Sequence, residues 1–185
     1  MNRTDCFLWP AVVLACLLML GSAPATAQAP VQNDPGYVDL TALGGVFDVE
    51  PTIEVNIHGA LLRLVAEASA AEDPDLARLL RRVRGVFVRG FDLTDVNVDA
   101  VRRHKDDLAA RLERTGWNTF VRVRDRSEDI NFYVRLQDEA IAGIIVMSIN
   151  LIEDQTVFLN IVGDIDPEEI GRIGRKFGMD DFSDF

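Results

Sequence analysis

Residues that could carry out catalysis are sparse in this chain of 185 residues. Nucleophilic catalysis requires a Ser, Thr or Cys beside a base, which is usually a histidine. The two histidines are His58, at the end of an alternating apolar run, and His104, within a helical pattern, and no serine lies in a Gly-x-Ser-x-Gly motif. The sequence therefore assigns no catalytic residue. Hydrolase or isomerase chemistry by paired carboxylates stays open as an alternative.

One acidic run imitates a metal site. Asp95, Asn97 and Asp99 alternate as in the opening of a calcium-binding loop. Ala100 stands where that loop needs a glycine, and Asp106 stands where it needs a bidentate glutamate. The run is instead typical of a helix N-terminus, where acids interact favourably with the helix dipole. We predict no metal and no cofactor.

A second group contains arginine and aromatic residues on several predicted strands. Side-chain alternation along the strands places these residues on one face of the sheet. Its members are Phe120, Arg122, Arg124, Tyr133, Arg135, Phe158 and Asn160. Such a surface suits single-stranded nucleic acid, because rings stack on bases and guanidinium groups pair with phosphates. The formal net charge of −11 opposes that partner. We therefore predict that these residues bind a partner protein or another anionic component. The alternative is an ordinary solvated sheet face with cross-strand pairs of Arg and acids.

Hydrophobic periodicity places the elements that would position these residues. Helices are predicted from Ala60 to Ala70, from Pro74 onward and from Val98 to Thr115. Strands are predicted at 52–57, 86–93, 117–124, 131–137, 141–150 and 157–162. Short polar links between the last four strands favour an antiparallel meander.

The stretch from Thr156 to Phe177 indicates a strand, a turn at Gly163 and a closing helix. Asp166 at the N-cap, followed by Pro167 at the first helical position, marks the start of that helix. Ile170, Ile173 and Phe177 then recur at helical spacing. The closing helix is predicted to pack on the sheet.

These elements predict an α+β fold, a two-layer sandwich in which helices cover one face of a mainly antiparallel sheet of about six strands. Side-chain alternation then assigns the faces. We expect a core face formed by Trp117, Val121, Val123, Phe132, Val134 and Leu136, with the arginine and aromatic group on the outward face.

The N-terminal residues resemble a secretory signal peptide: Arg3, an apolar run from Phe7 to Leu20, and small residues ending at Ala27. We predict cleavage between Ala27 and Gln28, which removes both cysteines, Cys6 and Cys16, and leaves no stable membrane span. The chain then divides into a signal peptide (1–27), a flexible leader (28–45) with at most a short docking segment from Tyr37 to Leu43, a single α+β domain (46–178) and an acidic-aromatic tail (179–185). The predicted location is exported, either periplasmic or secreted.

Three stretches carry a resemblance to a known family. They are Glu-Val-Asn-Ile-His-Gly-Ala-Leu-Leu-Arg at 54–63, Gly116-Trp117 after a long helix, and Leu-Asn-Ile-Val-Gly-Asp-Ile-Asp at 159–166. With the signal peptide, they resemble the exported bacterial proteins of domain of unknown function 4252 over roughly residues 35–178. The resemblance implies a setting in the bacterial envelope and no catalytic or binding residue. The expected function is thus a non-enzymatic binding or signalling-accessory module of the envelope, whose partner is an envelope protein or an anionic envelope component. The alternatives are the carboxylate enzyme above and a purely structural stress protein.

Overall fold

The structure, a computed structural model, describes residues 30–41 and 49–168. A 3-10 turn at Val31–Asn33 precedes three helices and six strands. The helices are α1 (Ala60–Ser69), α2 (Pro74–Arg82) and α3 (Val98–Arg114). The strands are β1 (Ile53–His58), β2 (Val83–Asp92), β3 (Asn118–Arg124), β4 (Glu128–Gln137), β5 (Ala140–Asn150) and β6 (Gln155–Ile165).

The six strands form one sheet in the order β1-β2-β6-β5-β4-β3, and every neighbouring pair is antiparallel. Strands β3 to β6 follow one another as a meander, and β2 pairs with the far side of β6. The predicted α+β class, the six strands and the C-terminal meander are therefore confirmed.

Side chains at the helix N-termini explain where the helices begin. Asp73 Oδ1 accepts a hydrogen bond of 3.1 Å from the Leu76 amide, and Pro74 occupies the first turn of α2. Asn97 Oδ1 accepts one of 3.1 Å from the Ala100 amide at the start of α3. Each cap satisfies a backbone donor that the helix itself leaves unpaired. The acidic run around Asn97 thus serves as a helix start.

Both faces of the sheet carry apolar side chains, and helices pack on each face. The larger cluster lies under α3 and combines Val101 and Leu112 with Phe91, Tyr133 and Met147 of the sheet. The second lies on the opposite face under α1 and α2, and is formed by Leu62, Val83, Ile141, Ile144 and Ile165. The register places Val86 opposite Ile161 and Phe87 opposite Asn160, so the two sets alternate along the strands. The sequence predicted helices on one face of the sheet; in the structure α3 packs on one face, and α1 and α2 pack on the other.

The segment before β1 packs on the α3 face of the sheet. The Val38 amide donates to Asn160 Oδ1 at 2.9 Å, and Asn160 Nδ2 donates to the Gly36 carbonyl at 3.0 Å. The Tyr37 ring meets Phe87 edge-on at 5.2 Å. A Cβ on Gly36 would lie 1.8 Å from the Ala142 carbonyl oxygen, so only glycine permits this approach. Residues 30–41, within the predicted leader (28–45), therefore pack on the sheet and contribute to the core.

Gly163 is part of β6 rather than a turn after it. The strand continues to Ile165, and Gly163 pairs with Val83 beside a register shift in β2. A Cβ at Gly163 would lie 2.6 Å from the Arg82 carbonyl oxygen. The glycine allows close backbone approach, and the predicted turn at this position is wrong. The signal peptide, most of the closing helix and the tail lie outside the described residues.

Candidate functional site

The seven residues of the predicted binding face are not an open surface. Tyr133, Phe158 and Asn160 are buried, because α3 and the segment 30–41 lie on this face. The expectation that they face solvent is wrong. Phe120 belongs to the other face, where its ring lies 5.5 Å from that of Phe132, since the pairing of β3 with β4 shifts register between Thr119 and Val121.

The three arginines of the predicted face fasten α3 to the sheet. Arg122 Nη2 lies 3.1 Å from Glu113 Oε1, and Arg124 Nη2 lies 3.0 Å from Asp106 Oδ1. Arg135 Nη1 donates to the Thr115 carbonyl at 2.7 Å, at the C-terminal end of α3. A cation at this end complements the helix dipole and satisfies a carbonyl. These arginines therefore have structural partners within the described chain.

A buried polar network lies between α3 and β4. Lys105 is 1% exposed, and its ammonium donates to Asp129 Oδ1 and, at 3.0 Å, to Asn131 Oδ1. Asn131 Nδ2 donates to the Tyr133 hydroxyl at 3.2 Å, and Arg122 donates to the same hydroxyl at 3.0 Å. The network connects the buried ammonium to the surface through side chains alone.

Burial lowers the pKa of Lys105, because the interior disfavours the charged ammonium, and the hydrogen bond to Asp129 opposes that shift. The charge of Asp129 raises the pKa of Arg124, whose Nε lies 3.3 Å from Asp129 Oδ2. That oxygen forms no hydrogen bond with any described group. The Asp129 carboxylate is thus paired with two cations, Lys105 and Arg124, of which only Lys105 is fully buried.

A large open groove lies beside α3, between the helix and the docked segment 30–41. Its volume is about 900 Å³. The apolar residues of its lining are Tyr37, Val38, Leu108, Ala110, Leu112 and Trp117, and its polar residues are Asp39, His104, Asp107, Arg111, Arg114, Thr115 and Arg135. We call this the α3 groove. Leu108, Leu112 and Trp117 are buried and form its floor.

Positive charge in the α3 groove is concentrated near the end of the helix. Arg111 and Arg114 are exposed in the last turn of α3, and neither takes part in an ion pair with another described residue. Asp107 lies one turn earlier. Hydrogen bonds from the Thr41 hydroxyl, at 2.6 Å, and the Thr41 amide, at 2.8 Å, lower the pKa of Asp39 and keep it ionised. The groove is therefore basic at one end.

A second groove, of about 600 Å³, lies between the 3-10 turn and α1 and α2. Two of the arginines that line it have acidic partners: Arg84 Nε lies 2.9 Å from Asp34 Oδ2, and Arg81 Nη2 lies 3.3 Å from Glu67 Oε1. Since these guanidinium groups are neutralised within the chain, the α3 groove is the stronger candidate for an anionic ligand.

Two further searches cover only the described part of the chain. Residues 30–41 and 49–168 contain no group of three or more His, Cys, Asp or Glu side chains that could hold a metal ion. Within these same ranges, no helix is both long and apolar enough to cross a membrane.

Sequence reasoning missed three functional candidates, namely Lys105, Arg111 and Arg114. Lys105 lies in one stripe of α3 with Val101, Leu108 and Leu112, and a charged residue in an apolar stripe indicates a buried partner. For Arg111 and Arg114 the sequence gives no comparable signal, because their groove is completed by the distant segment around Tyr37.

The architecture and the groove define a class: an α+β domain built on one antiparallel sheet, with a basic groove beside its longest helix. Residues 48–173 match the family described as Domain of unknown function (DUF4252), and this match spans more than half of the chain. The chain therefore belongs to that family, as the sequence resemblance indicated.

Other comparisons add little. No curated protein gives a significant match. Among solved structures, the chain is similar to the Ran-binding protein Mog1p of Saccharomyces cerevisiae, with 16% identity and a TM-score of 0.24. The similarity covers 50% of this chain and 55% of that chain. A likeness at this level carries no argument about function.

Proposed function

We propose that this protein is an exported, non-enzymatic binding or signalling-accessory module of the bacterial envelope. Its α3 groove takes an acidic segment of a partner protein. The observation that carries this proposal is the pair of guanidinium groups of Arg111 and Arg114, which have no ion-pair partner among the described residues and lie beside a buried apolar floor.

Export is supported by the sequence of residues 1–27, which has the order of a secretory signal peptide: a positive start, an apolar run and small residues at Ala27. Cleavage before Gln28 leaves the docked segment 30–41 intact, so the mature chain retains one wall of the α3 groove. The periplasm or the extracellular space is the location that follows.

Charge and shape favour an acidic peptide as the ligand. A guanidinium group can pair with a carboxylate through two parallel hydrogen bonds, which lysine cannot do. The floor of Leu108, Leu112 and Trp117 offers apolar contact to neighbouring side chains of the same peptide. Asp107, one turn before Arg111, repels carboxylates, so the acidic side chains of the segment are expected near Arg111 and Arg114.

The titratable groups favour binding over catalysis. The Lys105 ammonium is 1% exposed, so a substrate does not reach it in this conformation. Of the acids in the α3 groove, Asp39 has a lowered pKa, whereas a general acid at neutral pH needs a raised one. The groove thus supports recognition of charge more than proton transfer.

The first prediction concerns the double variant Arg111→Ser/Arg114→Ser. We expect it to bind a labelled peptide of alternating Asp and Phe residues at least tenfold more weakly than the unaltered protein, since each charge-assisted hydrogen bond contributes about 1.5–3 kcal/mol. Fluorescence anisotropy at low ionic strength measures the affinity. A peptide of alternating Lys and Phe tests whether the groove prefers negative over positive charge.

The matched control is Arg103→Ser/Arg126→Ser, which removes the same charge from exposed positions outside the groove. Titrations are repeated with a chain ending at Gly178, so that the acidic residues of 179–185 are not present to compete with the peptide. Equal affinities for the two double variants, or no binding of the acidic peptide by either form of the protein, would refute the proposal.

A further inference from the structure

An amine, a carboxylate and an amide lie side by side in the buried network between α3 and β4. Lys105, Asp129 and Asn131 are each about fully buried. The Lys105 ammonium donates to Asp129 Oδ1 and, at 3.0 Å, to Asn131 Oδ1. The amide carbon Cγ of Asn131 is bonded to that oxygen at about 1.2 Å, so it lies within about 4.2 Å of Lys105 Nζ. A nucleophile, a proton carrier and a carbonyl carbon are therefore held together away from solvent.

Two further side chains orient the Asn131 amide. Its Nδ2 donates to the Tyr133 hydroxyl at 3.2 Å, and the same hydroxyl accepts a hydrogen bond of 3.0 Å from Arg122. Because the hydroxyl holds the amide nitrogen, the carbonyl side of the amide stays directed at Lys105. Groups held in place in this way react with little further loss of entropy.

Attack on an amide requires a neutral amine, because an ammonium group has no free electron pair. Burial lowers the pKa of Lys105, which favours the neutral form. Asp129 Oδ1 already accepts the hydrogen bond along which the proton can move. The site therefore contains both the nucleophile and the base that activates it.

We propose that Lys105 and Asn131 join in an intramolecular isopeptide bond, with Asp129 as the catalytic carboxylate. Asp129 takes one proton from the Lys105 ammonium, and Nζ then attacks Asn131 Cγ to form the new C–N bond. Asp129 passes a proton to Nδ2, the Cγ–Nδ2 bond breaks, and ammonia leaves. Of the two protons that Nζ gives up, one departs in the ammonia, and the other remains on Asp129 or converts the ammonia to ammonium. The reaction involves no oxidation or reduction.

The bond gives this domain a covalent link that cysteine cannot supply. Both cysteines, Cys6 and Cys16, lie within residues 1–27, so the chain from Gln28 onward has no thiol. The link ties the middle of α3 to β4 across 26 positions of sequence. A cross-link of this kind restricts the unfolded chain and so stabilises the fold, as a disulfide does.

The test is mass spectrometry of tryptic peptides from the folded chain Gln28 to Phe185. Residues 104–111 and 127–135 should appear as one joined peptide, lighter by about 17 Da than the sum of the two, because ammonia is lost. Fragmentation should place the link between Lys105 and Asn131. The joined peptide decides the matter rather than the mass of the whole chain, since an N-terminal glutamine also loses ammonia when it cyclises.

Three variants test the roles of the individual groups. Asn131→Ala and Asp129→Ala should each give the two segments as separate peptides, whereas Asn118→Ala, at an exposed position on β3, should keep the joined peptide. The unaltered chain remains decisive even if a variant does not fold. Separate peptides from the unaltered chain, a link from Lys105 to Asp129 with loss of water, or a joined peptide in Asp129→Ala would overturn the proposal.

Discussion

Replacement of Lys105 by Met is expected to lower the free energy of unfolding by about 3–5 kcal/mol, the largest effect we expect of a single substitution in this protein. The variant keeps the volume of the stem but leaves the Asp129 carboxylate buried without its main partner. Asp129 Oδ2 has only the Arg124 Nε atom at 3.3 Å among the described groups, and the Arg124 side chain is half exposed. Urea unfolding followed by circular dichroism measures the effect.

The double variant Lys105→Met/Asp129→Asn separates charge burial from packing. Because it removes both charges, we expect it to be more stable than Lys105→Met alone, although the introduced amide keeps one polar group in the interior. The charge reversal of an exposed pair, such as Arg78 with Asp75 on α2, serves as a control and should change stability by less than about 1 kcal/mol. A loss below about 1 kcal/mol for Lys105→Met would contradict the role given to the buried pair.

The second large effect concerns Asn160, whose side chain holds the docked segment on the sheet. Asn160→Ala leaves the Val38 amide and the Gly36 carbonyl without partners, and it also removes a bond of 3.1 Å to the Ile144 carbonyl. Each buried group left unpaired costs about 1–3 kcal/mol, so we expect a loss of about 2–4 kcal/mol. The measurement is urea unfolding, together with limited proteolysis of residues 30–41.

This substitution should also weaken ligand binding in the α3 groove, since Tyr37, Val38 and Asp39 form one of its walls. Asn118→Ala, at an exposed position at the start of β3, is the matched control and should change neither property. If Asn160→Ala left both stability and proteolysis unchanged, the segment 30–41 would not be held by Asn160.

The local elements of this fold could be predicted because their signals are local. The cap at Asp73, the first-turn Pro74 and the stripe of Val101, Leu108 and Leu112 depend on residues within a few positions of each other. The short polar links between β3 and β6 likewise favour a meander without knowledge of the rest of the chain. Strand order within the meander follows from that topology, whereas the register shifts, such as the one between Thr119 and Val121, do not.

The faces of the sheet were harder to assign because alternation is a weak guide when both faces are buried. Strand β5 reads Ile-Ala-Gly-Ile-Ile-Val-Met from Ile141 to Met147 and is apolar without alternation, which indicates burial on both sides. That signal predicts a three-layer arrangement. Arg122 and Tyr133 suggested an outward face, whereas the guanidinium group in fact pairs at the helix edge and the ring is buried.

The α3 groove could not be predicted from local patterns. It joins Tyr37 to Trp117 and Arg135, which are about 80 to 100 positions apart in the sequence, and it exists only because Gly36 permits the segment to lie against β5. The proline and glycine residues around Gly36 favoured a flexible leader. Local composition does not reveal that the distant Asn160 side chain forms hydrogen bonds with this segment. Long-range polar contacts of this kind have no periodic signature.

The central claim, that the α3 groove binds an acidic segment of an envelope partner, is tested most directly by photocrosslinking in cells of the producing bacterium. Ala110 lines the groove and is exposed, so benzoylphenylalanine introduced there reports contacts of the groove, while the same residue at Ile152, 77% exposed and outside the groove, reports chance encounters. We predict one discrete adduct from position 110, mapped to an acidic segment of an envelope protein. It should be lost with Arg111→Ser/Arg114→Ser and kept with Arg103→Ser/Arg126→Ser. Adducts no different from those at position 152, or an adduct indifferent to Arg111 and Arg114, would contradict the claim.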